Sequence, residues 1–388
     1  MMSKNLCRSL ACAFLVAVIA GLAPAVEAGQ NGSGSQGGPG APALVASHDR
    51  TPAGVYRAAC QSCHGPDGRG MAQSATALPL PVPDFTDCNF ASREPDSDWL
   101  AIIHTGGPAR GFDPLMPAFG EALPADEIEL ALAQVRTFCG SRAWPSGNLN
   151  LPRTLFTEKA FVEDEVVVTA SVAAEGDPSV ASKVVYEKRF FSKGQFELVV
   201  PLGFKQPEGS DWTTGLGDVV LGWKQVLAHS AKTGSILSVS GEVILPVGDE
   251  GAGFGKGVTI IEPFVAFGQA MRGDSFIQAQ TGIELPTDSE KAAKEAFWRL
   301  AVGKTFSRNR WGRAWTPMVE VLGFREFADG EETHWDLVPQ FQVTLSTRQH
   351  IMANIGVRIP MDKPGSRSTQ VAFYLLWDWF DGGLRDGW

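Results

Sequence analysis

The sequence predicts a two-part chain: a small all-α domain, then an all-β transmembrane barrel of about twelve antiparallel strands. Three observations predict it. Cys60-Gln61-Ser62-Cys63-His64 lies in a short helical setting. Past residue 153, apolar residues recur at every second position instead of every third or fourth. The alternating segments are about ten residues long, the length a tilted bilayer-crossing strand needs.

The chain has 388 residues, too many for one ordinary domain. A net charge of -10 argues against nucleic acid as a partner. Lys4 and Arg8 precede an apolar run at 10–22, and Val26-Glu27-Ala28 is a small-x-small cleavage site. Residues 1–28 therefore read as a secretory signal peptide. Residues 29–50, rich in Gly, Ser, Ala and Pro at their start, read as a flexible leader.

Cys60, Cys63 and His64 form a C-x-x-C-H haem-attachment site. Two sulfurs three positions apart can each add to one vinyl group of a haem. The next residue, His64, then falls under the iron as an axial ligand. Thr51-Pro52 supplies a hydroxyl N-cap and a first-turn proline, so 53–59 carries the chain into the motif as a helix. Gly65-Pro66-Asp67-Gly68 must turn. A zinc site would need a second ligand pair and a redox dithiol a βαβ context, and neither is visible. One covalent haem c is expected.

Residues 51–142 resemble a class I cytochrome c domain, on three marks: the haem motif, a later Met-Pro and a closing helix. Pro124-Ala125-Asp126-Glu127 opens that helix with acids at its positive end. Ile128, Leu132, Val135 and Cys139 form its apolar stripe. Met116, in Met116-Pro117-Ala118-Phe119, resembles the family's sixth ligand to haem iron. His104 is the rival ligand, and Met71 lies too close to His64 to reach the opposite haem face. Cys88 and Cys139 are left over as an even pair in an oxidising compartment, and a disulfide between them is expected. Two buried thiols are the alternative.

Residues 143–153, with Pro145, Gly147 and Pro152, read as a linker, and 154–388 as the barrel. In 335–345 the apolar residues Trp335, Leu337, Phe341, Val343 and Leu345 alternate with Asp336, Gln340, Gln342 and Thr344. A soluble sandwich would bury the apolar face, whereas a membrane barrel turns it outward. Segment length, alternating short and long connections, and tryptophans near strand ends favour the barrel. The expected strands are 161–171, 180–190, 196–206, 216–228, 235–246, 260–271, 274–285, 295–306, 313–327, 334–345, 350–360 and 369–380. Even parity puts both barrel ends on one side, and the short turns mark that side as periplasmic.

Residues 215–222 (GLGDVVLG) and 337–345 (LVPQFQVTL) resemble the outer-membrane porin-like family associated with phenol degradation (the MetA-pathway family). Such barrels usually end on an aromatic residue. Here Trp379-Phe380 is followed by eight more residues to Trp388. The lumen face is expected to carry Asp218, Lys224, Glu242, Glu262, Glu284, Arg299, Glu320, Asp336, Arg358 and Asp378. That acidic balance would favour cations in an open pore. Equally, paired charges could fill a narrow barrel with no through-path.

The order of the two parts resembles fused cytochrome–porin proteins, which implies electron exchange at or across a bacterial outer membrane. The expected partners are a periplasmic electron-transfer protein, an extracellular or lumenal electron donor or acceptor, and outer-membrane lipid. The cytochrome domain is expected on the periplasmic side. The alternative is a passive porin for small solutes carrying a tethered electron carrier. No hydrolase or transferase site is recognisable, so electron transfer is expected over substrate turnover.

Overall fold

The computed structural model describes residues 49–76, 81–206, 209–307, 312–362 and 367–378. The expected signal peptide, the leader up to residue 48 and the C-terminal aromatics from Trp379 onward lie outside them. The chain divides into a helical unit and a β unit, with the division at residues 141–142 and the short stretch Ser92–Pro95 grouping with the β unit.

In the helical unit, α1 (Pro52–Ala59) starts as its sequence dictates. The Thr51 hydroxyl accepts the Gly54 N–H at 3.1 Å, and proline occupies the first turn. A single turn, α2 (Gln61–His64), carries the second cysteine and the histidine. Gly65 follows with φ 74°, a conformation that suits glycine and stops the helix. The short helices α3 (Gln73–Thr76) and α4 (Cys88–Ala91) precede α5 (Asp96–Thr105) and α6 (Ala125–Phe138). The apolar stripe of α6, Ile128, Leu132 and Val135, is buried against Val55, Tyr56, Phe85, Trp99 and Ile103. Each fully buried side chain of this kind contributes about 1.5–3 kcal/mol. Cys88 and Cys139 are joined in the structure, with Cα atoms 5.0 Å apart, tying the start of α4 to the end of α6.

The β unit has twelve main strands: β1 (Glu165–Ala173), β2 (Ser179–Phe190), β3 (Gly194–Lys205), β4 (Val219–Ser230), β5 (Ser235–Leu245) and β6 (Ile260–Met271). They continue with β7 (Ser275–Pro286), β8 (Glu295–Lys304), β9 (Ala314–Glu326), β10 (His334–Thr344), β11 (Ile351–Pro360) and β12 (Gln370–Asp378). Each pairs antiparallel with its sequence neighbours, and β12 pairs with β1, so the sheet closes and leaves no long edge. The short pieces Thr213–Leu216 and Phe306–Ser307 extend this wall. One end carries short turns such as 191–193, 231–234 and 272–274. The other carries long loops such as 246–259 and 287–294.

The faces are inverted relative to a soluble protein. Glu187, Gln278, Glu320, Asp336 and Gln340 point inward and are buried. Leu221, Trp223, Val265, Leu300, Ile355, Phe373 and Leu375 point outward and are exposed. Apolar-out, polar-in alternation around a closed barrel is what lipid requires, because no backbone polar group faces hydrocarbon unpaired.

The strands follow the sequence expectation closely, with one substantive difference. The first strand begins at Glu165, and residues 149–164, expected to be linker and early strand, are not wall. Their side chains and backbone face inward against the barrel's inner surface.

Candidate functional site

Two parts of the chain carry chemistry: the Cys60–His64 turn and the interior of the barrel.

The Cys60 and Cys63 thiols are unbridged and half-buried. Burial, reinforced by Cys63, pushes the Cys60 thiol up to about 12. Burial lowers the His64 imidazole to about 4, so it is neutral at neutral pH and able to ligate. Its ring stacks on Phe85 at 4.7 Å. The Tyr56 hydroxyl donates to the Gly65 carbonyl at 2.8 Å, pinning the turn behind the histidine. His64 Nδ1 and Trp99 Nε1 are both buried without a hydrogen-bond partner. Two thiols, a neutral imidazole and two unsatisfied ring nitrogens at one core fit a covalently held, polar-edged planar group such as haem c.

Met116 lies on a strap whose backbone is bonded to the end of α5. Gly107 N–H donates to the Met116 carbonyl at 3.0 Å, and Phe119 N–H to Ile103 at 3.0 Å. Its rival, His104, packs its ring on the Gly120 backbone, where an added Cβ would lie 2.6 Å from His104 Cε1.

Inside the barrel, residues 149–164 form a strap that meets every strand. Leu149, Phe161 and Val162 pack on Val226 (β4), Ile236 (β5) and Ala266 (β6), and Leu151 packs on Phe276 (β7) and Met318 (β9). Leu155 packs against the cluster of Val167 (β1), Val185 (β2) and Val199 (β3), and the Arg358 guanidinium (β11) lies 5.3 Å from the Phe156 ring centre. Arg299 (β8) donates to the Phe156 carbonyl at 2.7 Å. Gln340 (β10) accepts from Leu155 N–H at 3.0 Å, and Tyr374 (β12) donates to the Arg153 carbonyl at 2.6 Å. Glu320 (β9) accepts the backbone N–H groups of Leu155, Phe156 and Thr157 and the Thr157 hydroxyl. At this level the chain itself crosses the lumen and contacts every strand.

The wall around the strap carries a row of carboxylates that register alone reveals. Asp378, the last residue of β12, pairs with Glu165, the first of β1. Glu165 pairs with Glu187, and Glu187 with Glu197. Gly222 comes next, then Glu242 and Glu262. Glu284 continues the row beside Leu285, the partner of Ile261, and pairs with Glu295, which pairs with Glu326. Nine carboxylates thus stand side by side on nine of ten successive strands. The row starts at the short-turn end and finishes at the long-loop end, because strands tilted about 35–45° make a perpendicular row climb the barrel. Directly opposed side chains of this kind lie about 4.5–5.5 Å apart, and like charges there repel.

All ten expected lumen residues are on the inner face, but several have structural partners. Asp218 accepts Gly248 and Lys256 N–H groups and so fixes the 247–258 loop at the long-loop end. Asp336 binds Arg358 and Arg367. Glu165, Glu187, Glu197, Glu295 and Glu326 escaped the sequence reading, although each shares parity with its strand's inner face. The strap escaped it too, and the charges Arg153, Glu158, Lys159 and Glu163 were its available signal.

Residues 48–133 match the family model "Cytochrome C oxidase, cbb3-type, subunit III". Among curated proteins no sequence matches the chain. Among solved structures, the COG4313 outer membrane channel from Pseudomonas putida F1 is similar, with TM-score 0.41 and 10% identity over 58% of this chain and 99% of that one. The NanC porin gives TM-score 0.40 and 7% identity over 55% and 98%. The KdgM porin gives 0.37 and 9% over 55% and 99%. The barrel itself rests on this chain's own closure and inverted faces. The chain thus joins a helical domain, whose residues 48–133 match a cytochrome c family model, to a closed twelve-stranded antiparallel barrel.

Proposed function

We propose that this protein transfers electrons at or across the bacterial outer membrane, with the barrel as a scaffold and not a passive pore. The observation that carries this reading is the strap 149–164, which crosses the lumen and meets all twelve strands. A solute porin needs a water-filled passage, so the strap across the lumen counts against the passive-porin alternative.

Cys60 and Cys63 would hold one haem c, and His64 and Met116 would ligate its iron. Haem c supplies reversible one-electron chemistry. Around it, Tyr56 and Phe85 hold the His64 turn, and the apolar core excludes water, which favours the less charged, reduced state.

On this reading the domain lies on the periplasmic side, where a periplasmic electron-transfer protein would be its partner. The apolar band of such a barrel is about 25 Å tall, a long path for a single centre. A small donor or acceptor entering from the long-loop end as far as the strap would shorten it. The test is electron transfer across proteoliposomes of the full chain, with and without haem. Haem-dependent oxidation of an internal donor by an external acceptor is expected. Haem-independent solute flux with no electron transfer would return the protein to the porin class.

A further inference from the structure

The inner half of the carboxylate row holds more negative charge than its neighbours neutralise. Arg153 pairs with Glu158 (3.5 Å), Glu165 and Glu187 (2.9 Å). Lys159 pairs with Glu163 and Glu165, and Lys224 lies 3.9 Å from Glu158. This ion-pair network therefore contains four carboxylates and three cations. Glu197, paired in register with Glu187, adds a fifth carboxylate and has no ion pair among the described residues. Within ion-pairing distance that leaves five carboxylates to three cations, in a place shielded from water; Lys183 and Arg189 add positive charge nearby without a direct ion pair to the group. Buried charge without compensation is costly enough that something must neutralise it.

The geometry shows where. One carboxylate oxygen from each of Glu158, Glu187 and Glu197 lies within 4.8 Å of the others. Glu187 is completely buried, and its Oε1 has no hydrogen-bond partner; nor has Glu158 Oε2. A carboxylate oxygen can only accept, so facing carboxylates are satisfied by a cation or by protons held between them. Hard divalent cations bind oxygen at about 2.0–2.6 Å, so one ion can touch oxygens up to about 4.8 Å apart. Gly222, between Glu197 and Glu242 in the row, has no side chain to block the gap: a Cβ there would lie 3.2 Å from Glu197 Cβ and 3.1 Å from Glu242 Cγ. The row from Glu242 to Glu326 then gives a cation an acidic approach from the long-loop end.

We infer that Glu158, Glu187 and Glu197 bind one hard divalent cation, which staples the strap to the wall of β2 and β3. Glu158 lies on the strap and the other two on the wall, so the ion joins the two. This inference does not depend on the electron-transfer reading, because it concerns only the barrel's interior.

The test uses the purified full chain in detergent, stripped with a chelator and titrated with Mn²⁺. Binding of about one Mn²⁺ per chain is expected, read by loss of the free-ion paramagnetic resonance signal, together with a rise in unfolding temperature. Glu187→Gln and Glu197→Gln should each weaken binding at least tenfold and abolish that rise. Glu197→Gln removes surplus charge, so the stripped variant should unfold no lower than stripped wild type, which separates ligand loss from misfolding. Absence of tight binding in wild type overturns the site. So does equal binding in both variants, which would mark adventitious ions on exposed acids. A stripped wild type that gains no stability from Mn²⁺ but loses it as pH rises through neutrality assigns the surplus to shared protons and also overturns the inference.

Discussion

Glu320 on the barrel wall accepts a 2.6 Å hydrogen bond from the backbone N–H of Thr157 on the internal strap. The same carboxylate takes the Thr157 hydroxyl at 2.6 Å and the Leu155 and Phe156 N–H groups at 3.0 and 3.1 Å. One fully buried acid thus satisfies three successive backbone donors that have no strand to pair with. Glu320→Ala would leave the Phe156 and Thr157 N–H groups unpaired, at about 1–3 kcal/mol each, while Leu155 N–H keeps the Gln340 side chain. The strap should loosen, and planar-bilayer conductance should rise from near zero to steps of a small open barrel. A conductance equal to wild type would show that Glu320 does not hold the strap.

Haem attachment is expected to depend on both thiols. Cys60→Ala with Cys63→Ala should abolish covalently bound haem on a denaturing gel. Each single change should leave at most one thioether. A haem stain that survives in the double variant removes the assignment.

Met116→Ala should remove the weak near-infrared band that marks methionine bound to ferric haem iron and should lower the midpoint potential, since a thioether favours ferrous iron. His104→Ala should leave the band in place, because its ring is engaged against Gly120. The reverse result transfers the ligand role to His104.

Cys88 and Cys139 lie 51 residues apart in sequence and join α4 to the end of α6. Closing a loop of that size stabilises a domain by about 2–4 kcal/mol. Replacing both with Ser should lower the unfolding temperature of the helical domain while leaving the barrel's transition unchanged. Detection of both as free thiols in non-reducing mass spectrometry would contradict the bond.

Protease added to intact cells should not release a haem-bearing fragment, if the short-turn end of the barrel faces the periplasm. Breaching the outer membrane should make cleavage near residues 140–148 possible. Release from intact cells would place the domain outside.

The particular elements explain what was legible. Strand alternation could be read because lipid and lumen impose opposite polarity on successive residues, so β5, β10 and β11 announce themselves locally. The Thr51 cap, the α6 stripe and Cys60-Gln61-Ser62-Cys63-His64 are likewise local patterns. The strap was not legible, because 149–164 has no period: its N–H groups are satisfied by Glu320, Gln280 and Gln340, more than a hundred residues away.

The sequence by itself determined the two-part organisation, the strand count, the inward and outward faces and the grouping of Cys60, Cys63 and His64, since each follows from spacing along the chain. Only the tertiary structure decided that residues 149–164 cross the lumen and that nine scattered acids form one continuous row. Glu165, Glu187 and Glu197 are unremarkable in sequence. They become neighbours through strand register, and register is fixed by barrel closure, where β12 meets β1 and Asp378 meets Glu165.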